Sequence, residues 1–228
     1  SKNISDSQRN IIINEMWKNY GMTFIEYIFL DYFRKNTNHI KIIGLDNILN
    51  QIEEKKPLIF VSGHFENFEL MSMEITKNNI NLATIYRPIN NFFLNPFMEY
   101  LRKKYVCKNQ IKKGINGVRE SISFIKRRYS IALMIDQRVS EGEKVDFFGK
   151  PAFTTTLPAQ LASKYDLKII PVFIERLENN KFKMEFRKEI DPKHFKNKLD
   201  LTKELNSVLE KMIIKNPNQW IWTHNRWK

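Results

Sequence analysis

Short runs of consecutive apolar residues recur along the chain, each bounded by polar residues, glycine or proline. Runs of about four to eight such residues are typical of strands that are buried on both faces of a sheet. Such runs predict strands over 57–61, 130–135 and 168–174, and shorter or interrupted apolar segments predict strands over 40–43, 81–86, 145–148 and 181–186. No run approaches the roughly 18 apolar residues that a membrane-spanning helix needs, so we expect none of these segments to cross a bilayer.

The segments between these runs carry apolar residues at helical spacing. They predict helices over 5–36, with a break at Gly21, and over 45–53, 66–76, 91–104, 115–128, 156–164 and 199–215. Because strands and helices alternate at short spacing, the predicted fold class is α/β, with a mixed, mostly parallel central sheet flanked by helices. A length of 228 residues and no internal repeat predict a single domain, 1–228.

Two of the predicted helices are unusually aromatic. Residues 24–33 carry five aromatic side chains, and residues 91–104 combine aromatic side chains with a basic run that includes Lys103 and Lys104. Aromatic residues beside basic ones suit a membrane interface, whereas burial in the core explains the same patterns equally well. We expect the N-terminal helical segment, 1–36, to pack on or next to a membrane.

Polar side chains follow three of the predicted strands. His64 comes after the strand over 57–61, and Arg87 and Asp136 come after the next two core strands. Parallel neighbouring strands open at one edge of a sheet, where α/β proteins place their chemistry. A base, a cation and a carboxylate at that edge would suit transfer to a hydroxyl. Each residue alone also has a structural explanation, such as a local hydrogen bond, a surface charge or a turn.

Glu69 follows His64 by five residues. Inside one helix this spacing points the two side chains apart, so they meet only if His64 lies in the turn and Glu69 reaches back from the first helical turns. A carboxylate on one ring nitrogen would fix the tautomer and stabilise the imidazolium. No serine or cysteine nucleophile is adjacent, which favours a general base acting on a bound hydroxyl. A local hydrogen bond by His64 and a solvated Glu69 remain an equal alternative.

The composition of the chain limits the kinds of partner and ligand that it suits. Lys and Arg total 38 against 25 for Asp and Glu, a net charge of +13, which suits nucleic acid, an anionic membrane or an acidic or phosphorylated partner. The single cysteine, Cys107, suits a reducing compartment and is more typical of a packed thiol than of a nucleophile. The four histidines lack paired ligand spacing and no phosphate-binding loop is present, so we expect neither a metal nor a cofactor.

Three other functions compete with transfer to a hydroxyl. A basic nucleic-acid-binding domain explains the charge but not the strand-end residues, and its only motif is a weak G-x-x-G match at 114–117. A hydrolase would use the same base to activate water. A membrane scaffold with a decayed site is disfavoured by the intact His64 and Glu69.

Several blocks of the chain together resemble one family, the bacterial lipid A biosynthesis acyltransferases, which add secondary lauroyl or myristoyl chains. They belong to the glycerolipid acyltransferase superfamily marked by His-x4-Asp/Glu. The matching blocks run through most of the chain, at 63–69, 86–88, 136–137, 147–154, 171–172 and 220–228. Glu66 stands where the family usually has glycine, and Phe68 where it has tryptophan.

The resemblance implies a glycerol-3-phosphate-acyltransferase-like fold and direct transfer of a fatty acyl group from an acyl carrier protein thioester to a lipid hydroxyl. It implies that His64 is the general base and that Glu69 orients it. It also implies four substrate-binding candidates, with Asp136 holding Arg87 or another site residue: Asn67, Arg87, Asp136 and Gln137. The acceptor stays open between a lipid A precursor and another glycolipid or phospholipid.

The resemblance also implies a location. Members of the family commonly carry an N-terminal membrane helix upstream of the region matched here. We expect a peripheral protein on the cytoplasmic face of the bacterial inner membrane, with acyl carrier protein, an anionic glycolipid and the membrane surface as partners. All three are acidic or anionic, in keeping with the charge of +13.

Overall fold

The computed structural model describes residues 4–227; residues 1–3 of the predicted N-terminal segment and Lys228 of the last sequence block lie outside the described residues. The strands are β1 (Ile40–Ile43), β2 (Ile59–Ser62), β3 (Leu82–Tyr86), β4 (Asn109–Lys112), β5 (Ser130–Met134), β6 (Glu143–Phe147), β7 (Lys150–Thr154), β8 (Ile169–Arg176) and β9 (Phe182–Phe186). The helices are α1 (Asp6–Glu26), α2 (Leu30–Lys35), α3 (Leu49–Glu53), α4 (Glu69–Lys77), α5 (Leu94–Leu101), α6 (Ile115–Lys126), α7 (Leu157–Tyr165) and α8 (Lys198–Lys215).

Seven of these strands form one sheet in the order β1-β9-β8-β2-β5-β3-β4, and β6 and β7 form a separate antiparallel hairpin. Neighbours in the large sheet pair in parallel except β8 and β9, so β1 and β9 run opposite to the other five. The predicted α/β class with a mixed, mostly parallel sheet is confirmed. The largely apolar central strands explain it, because both faces of β2 and β5 are covered by helices.

The core consists of two apolar layers, one on each face of the sheet. Successive side chains of a strand point to opposite faces. Along β2, Ile59 and Val61 pack with α6, α7 and α8, whereas Phe60 packs with α2, α4 and α5. We call these the α6–α8 layer and the α2–α5 layer. This arrangement leaves the C-terminal edge of the parallel strands open for polar residues.

The N-terminal helix differs from the prediction. Helix α1 begins at a capping box made by Ser5 and Gln8 and continues through Gly21, where the break was predicted. The regular helix ends instead at Glu26 and tightens into a 3-10 turn over Tyr27–Phe29. A single glycine costs a helix only about 1 kcal/mol, which the favourable residues on either side offset.

Two strands were missed. The edge strand β4 contains one buried side chain, Ile111, among polar residues, so its pattern was too weak to recognise. Strand β7 was hidden because Gly149 and Pro151 indicated a break. Phe148 and Gly149 both have positive φ and form the two-residue turn of the β6–β7 hairpin, which is the geometry of a type I′ turn.

Candidate active site

The C-terminal ends of β2, β5, β3 and β4 lie side by side in that order. His64 lies shortly beyond β2, Asp136 shortly beyond β5, and Arg87 directly after β3. The expectation that these three residues share one edge of the sheet is confirmed. Lys113 follows β4 at the same edge, and its backbone N–H donates to the Tyr86 carbonyl at 2.9 Å, so a second cation joins the row.

Asp136 holds His64 at two points. The Nδ1 atom of the imidazole lies 2.8 Å from Oδ1 of Asp136, and the backbone N–H of His64 donates to Oδ2 at 2.8 Å. Asp136 is buried, whereas the His64 side chain keeps 20% of its surface exposed. One carboxylate therefore fixes both the backbone and the ring of the histidine, with the ring at the rim of the site.

Two neighbours fix the carboxylate and the turn. The buried indole of Trp220 donates its N–H to Oδ2 of Asp136 at 2.8 Å. Gly63 has no room for a side chain, because a Cβ there would lie 2.9 Å from the Phe65 ring and 3.4 Å from the Cβ of Asp136. Glycine at this position therefore lets the turn after β2 approach the strand-end carboxylate closely.

The pair has the electrostatics of a general base and its orienting acid. Burial alone would lower the pKa of His64, but the charge of Asp136, its hydrogen bond to Nδ1 and the charge of Glu69 together raise it above the ordinary value. Burial alone would raise the pKa of Asp136, but the interactions with His64 and Trp220 lower it to about 2. An ionised Asp136 accepts the Nδ1–H, which leaves the lone pair on Nε2.

The Nε2 side of the imidazole faces away from Asp136. The Phe68 ring packs edge-to-face against the imidazole, with centroids 4.8 Å apart and an interplanar angle of 71°. No hydrogen bond among the described residues occupies Nε2 of His64. An acceptor hydroxyl can therefore approach the basic nitrogen without displacing a protein group.

Glu69 does not make the contact that we expected. Within residues 4–227, no hydrogen bond joins Glu69 to His64, and the Nδ1 contact belongs to Asp136. The carboxylate of Glu69 instead accepts the Nε–H of Arg102 at 2.8 Å and the hydroxyl of Tyr27. Helix α4 begins at Glu69, and the side chain leaves its first turn toward these partners. Glu69 acts on His64 through its charge, which contributes to the raised pKa of the imidazole.

Arg102 is the cation of this second cluster. It begins a π-helical turn that continues α5 over Arg102–Val106, a feature frequent at functional sites. Its guanidinium also donates to the Tyr27 hydroxyl at 2.9 Å and lies 5.9 Å from the centroids of the Tyr27 and Tyr86 rings. Glu69 and Tyr27 hold the guanidinium close enough to His64 to lower the imidazole pKa by repulsion.

Asn67, expected at the substrate, is buried in a contact with α1. Its amide donates to Oε2 of Glu26 at 2.9 Å. Glu26 also pairs with Arg176 at 2.5 Å, and Arg176 donates to Glu66 at 2.8 Å. Glu66 has φ of +41°, and burial raises its pKa to about 7 although the charge of Arg176 opposes that rise. In this position Asn67 and Glu66 fasten the His64 turn to α1, and substrate binding by Asn67 stays a prediction.

Asp136 was expected to hold Arg87 or another site residue in place, and the residue that it holds is His64. Both carboxylate oxygens of Asp136 are engaged by His64 and Trp220, and Arg87 is exposed without an ion pair among the described residues. Gln137 is half-buried beside Asp136 and makes no hydrogen bond with the described residues. Substrate binding by Arg87 and Gln137 stays a prediction.

A group of positive charges adjoins the His64–Asp136 pair. His224 comes from the C-terminal segment, which runs along the turn that carries His64: the backbone N–H of Ile221 donates to the His64 carbonyl at 3.2 Å. Burial and repulsion by His64, Arg87 and Lys113 lower the pKa of His224, with only Asp136 opposing them. The Nδ1 of His224 is buried without a hydrogen-bond partner. The site therefore has a cationic side suited to an anionic substrate group.

The remaining candidates play structural parts. Cys107 is buried within the α2–α5 layer, and burial raises the pKa of its thiol, as expected for a packed side chain. Over the described part of the chain, no three His, Cys, Asp or Glu side chains are grouped to hold a metal ion. None of the described helices is long and apolar enough to cross a membrane.

The sequence did not identify Arg102 or Tyr27, because their partner Glu69 lies 33 and 42 positions away along the chain. The sequence did not place Lys113 at the site, since the strand before it was not recognised. Trp220 belongs to the last of the sequence blocks that resemble the family, and its hydrogen bond to Asp136 gives a structural explanation for a tryptophan at this position.

Comparisons with known proteins indicate the family of this chain. The family model for bacterial lipid A biosynthesis acyltransferases matches residues 3–228. The lipid A biosynthesis palmitoleoyltransferase of Escherichia coli K12 is 22% identical, over 98% of this chain and 74% of that protein. A lipid A biosynthesis acyltransferase of Haemophilus influenzae is also 22% identical, over 98% of this chain and 72% of that protein.

The crystal structure of the 1-acyl-sn-glycerophosphate acyltransferase PlsC of Thermotoga maritima is similar at a TM-score of 0.49 and 14% identity, covering 92% of this chain and 96% of that one. The family match extends over nearly the whole chain and includes the residues that form the site, so this chain belongs to the bacterial lipid A biosynthesis acyltransferase family and is an acyltransferase of lipid A type.

Proposed function

We propose that this enzyme moves a fatty acyl chain from an acyl carrier protein thioester to a hydroxyl of a lipid A precursor. The observation that carries the proposal is the His64–Asp136 pair, which leaves Nε2 of the imidazole free in a chain of this family. Relatives named for lipid A biosynthesis, one of them a palmitoleoyltransferase, support the acceptor and the chemical class of the donor group.

In the proposed reaction, Nε2 of His64 takes the proton of the acceptor hydroxyl as its oxygen attacks the thioester carbonyl carbon. A C–O bond forms and the C–S bond breaks. The departing thiolate receives the proton from the imidazolium, so atoms and charge balance without an acyl-enzyme. Asp136 stabilises the imidazolium through Nδ1–H, a task for which its pKa of about 2 keeps it ionised.

In the proposed reaction, Glu69 acts indirectly, without a hydrogen bond to His64. Its charge favours the imidazolium form of His64, and it holds the guanidinium of Arg102 in place. Because Arg102 is paired and largely buried, its position is fixed before substrate binds, which is the condition for electrostatic preorganisation. The roles of base and orienting acid thus belong to His64 and Asp136, with Glu69 and Arg102 as the second pair of the site.

The cationic side of the site would take the anionic part of a substrate. Arg87 and Lys113 are exposed at the ends of adjacent strands and have no carboxylate partner among the described residues. A phosphate there would be attracted by both charges and by His224 once that ring is protonated. We assign this side to a phosphate of the lipid acceptor.

The net charge of +13 supports an acidic carrier protein as donor and an anionic membrane as the place of work. We place the enzyme at the cytoplasmic face of the bacterial inner membrane, held there peripherally by the residues described here.

The test is to incubate the purified protein with acyl carrier protein thioesters of several chain lengths and a lipid A precursor, and to identify products by mass spectrometry. We expect one added acyl chain on the precursor and release of the carrier thiol. His194→Ala is a matched control, because His194 is an exposed histidine on a surface turn.

Three outcomes would contradict the proposal. Release of free fatty acid without an acylated lipid would indicate a thioester hydrolase. Acylation of a phospholipid but not of the precursor would keep the acyl transfer and overturn the acceptor. Full activity in His64→Ala would overturn the mechanism.

A further inference from the structure

Exposed apolar side chains concentrate on one face of the molecule. The segment before α5 presents Phe92 and Phe93, which are 82% and 86% exposed, and α5 itself presents Phe97, which is 54% exposed. The turn and helices that share the α2–α5 layer add more exposed apolar residues: Phe24, Ile25, Ile28, Phe29 and Tyr32. By contrast, the α6–α8 layer carries only scattered ones in the described residues, such as Ile115 and Ile214.

The aromatic pair is held in an ordered turn. The side chain of Asn91 accepts the backbone N–H groups of Phe93 and Leu94, each at 3.0 Å. The rings of Phe92 and Phe93 contact edge-to-face, with centroids 5.7 Å apart. The backbone of this turn is therefore ordered while its two large side chains stay almost fully exposed among the described residues, an arrangement that soluble surfaces normally avoid.

Positive charge borders the same surface. Lys103 and Lys104 are exposed in the turn that follows α5. The ammonium of Lys104 donates to the hydroxyl of Tyr100 at 3.1 Å and lies 4.9 Å from the centroid of the Tyr105 ring. Aromatic rings beside lysines with long stems are the composition of a surface that enters the headgroup region of a membrane.

The two exposed regions are joined beside the site. Tyr27 of the 3-10 turn bonds to Arg102, the residue that follows α5. Beneath them, Leu30 of α2 and Leu101 of α5 belong to the same buried cluster. Because Glu69 and the His64 turn lie against this junction, the apolar surface adjoins the candidate active site.

We infer that Phe92, Phe93 and Phe97, bordered by Lys103 and Lys104, insert into the surface of an anionic lipid bilayer. An apolar centre with a cationic border matches such a bilayer, whereas a second copy of the chain would bring two like-charged borders together. The inference deepens the proposed function by naming the residues that dock the enzyme, and it adds a contact outside the N-terminal segment.

Sedimentation with lipid vesicles tests the inference without any acyl substrate. We expect the wild-type protein to bind vesicles that contain phosphatidylglycerol and to bind pure phosphatidylcholine weakly. Phe92→Ser/Phe93→Ser should weaken binding about 10- to 100-fold, because two partly inserted apolar rings no longer stabilise the bound state. Lys103→Gln/Lys104→Gln should weaken it by about an order of magnitude and reduce its salt dependence.

The matched control is Ile115→Ser/Ile214→Ser, which removes exposed apolar side chains from the α6–α8 layer. We expect its vesicle binding to equal that of the wild type. Equal binding by the Phe92/Phe93 variant, or an equal loss in the control, would overturn the inference. So would a wild-type dimer in solution that the Phe92/Phe93 variant converts to a monomer, because the surface would then be a self-interface.

The acyltransfer assay separates this inference from the proposed function. With carrier thioester and a detergent-dispersed precursor, the Phe92/Phe93 variant should retain transfer within about two-fold of the wild type. If the Phe92/Phe93 variant loses vesicle binding but the wild-type protein transfers no acyl chain, the result would support the membrane-binding surface and overturn only the proposed function.

Discussion

Asp136 binds His64 through both carboxylate oxygens, one on the ring nitrogen Nδ1 and one on the backbone N–H, each at 2.8 Å. The two residues lie 72 positions apart and meet because β2 and β5 are parallel neighbours. A base whose ring and backbone are held by one buried carboxylate has little freedom to leave its working orientation, and the following predictions depend on this relationship.

Replacing His64 by alanine should lower the rate of acyl transfer by about 10²–10⁴-fold, the usual contribution of a general base. The fold should survive, because the side chain lies at the rim of the site. Steady-state kinetics measure the loss, and circular dichroism checks the fold. A loss of less than ten-fold would show that another group takes the proton.

Asp136→Asn should cost about as much as the loss of the base. The amide that replaces one oxygen would donate to Nδ1 of His64, and the proton would then reside on Nε2, the atom that must accept the substrate proton. We expect a drop of about 10²–10⁴-fold in kcat with KM little changed. A large rise in KM at unchanged kcat would instead indicate that Asp136 binds substrate.

The pH dependence should follow the raised pKa of His64. A general base works when unprotonated, so activity should fall as the pH drops through a midpoint above 6.5, the ordinary value for histidine. The raised pKa adds stability below the unfolded-state pKa, and this contribution disappears as the pH rises through the folded-state value. The lowered pKa of Asp136 adds stability above its ordinary value, which is lost as the pH falls toward about 2.

Activity-versus-pH profiles and NMR titration of the imidazole measure this midpoint. In Asp136→Asn the midpoint of the imidazole should fall, because burial then acts without the opposing carboxylate. A midpoint at or below 6.5 in the wild type would contradict the pairing.

Trp220→Phe removes one donor from Asp136 while keeping most of the ring volume. We expect stability to fall by about 1–3 kcal/mol, the cost of a lost bond to a charged group. The carboxylate should then interact more strongly with Nδ1–H, which moves the acidic limb of the rate profile to higher pH. Chemical denaturation and the pH profile measure the two effects.

Trp222→Phe is the control for that substitution. Trp222 belongs to the same segment, and its indole donates to the Pro217 carbonyl at the surface, not to the site. Its pH profile should equal that of the wild type. A shifted profile in Trp222→Phe would show that the segment as a whole, and not the indole of Trp220, sets the titration of His64.

Glu69→Gln should leave the buried guanidinium of Arg102 without its counter-charge. Breaking such a pair costs about 3–5 kcal/mol, so a reduced melting temperature is expected together with reduced transfer. The imidazole of His64 should titrate at lower pH, because one of the charges that raise its pKa is gone. Glu69→Leu/Arg102→Leu should regain part of the stability without regaining activity, and a full recovery of transfer would remove this pair from the mechanism.

The local pattern of apolar and polar residues determined much of the fold of this protein. Continuous apolar runs specified β2 and β5 as buried central strands, since only a sheet covered on both faces accommodates them. The alternation of strands with helices then fixed parallel pairing, and parallel strands bring their C-terminal residues to one edge. The sequence pattern alone therefore predicted that His64, Arg87 and Asp136 lie at one edge of the sheet.

Tertiary structure alone decided which side chains pair. The spacing of five residues left open whether Glu69 contacts His64, and the family resemblance implied that it does. The sheet instead places Asp136 nearer to the ring and turns Glu69 toward Arg102 and Tyr27. Likewise, Trp220 reaches Asp136 only because the C-terminal segment runs along the turn that carries His64. Hydrogen bonds between residues far apart in sequence depend on distances of a few tenths of an ångström, and these are set by packing, which leaves no periodic trace in the sequence.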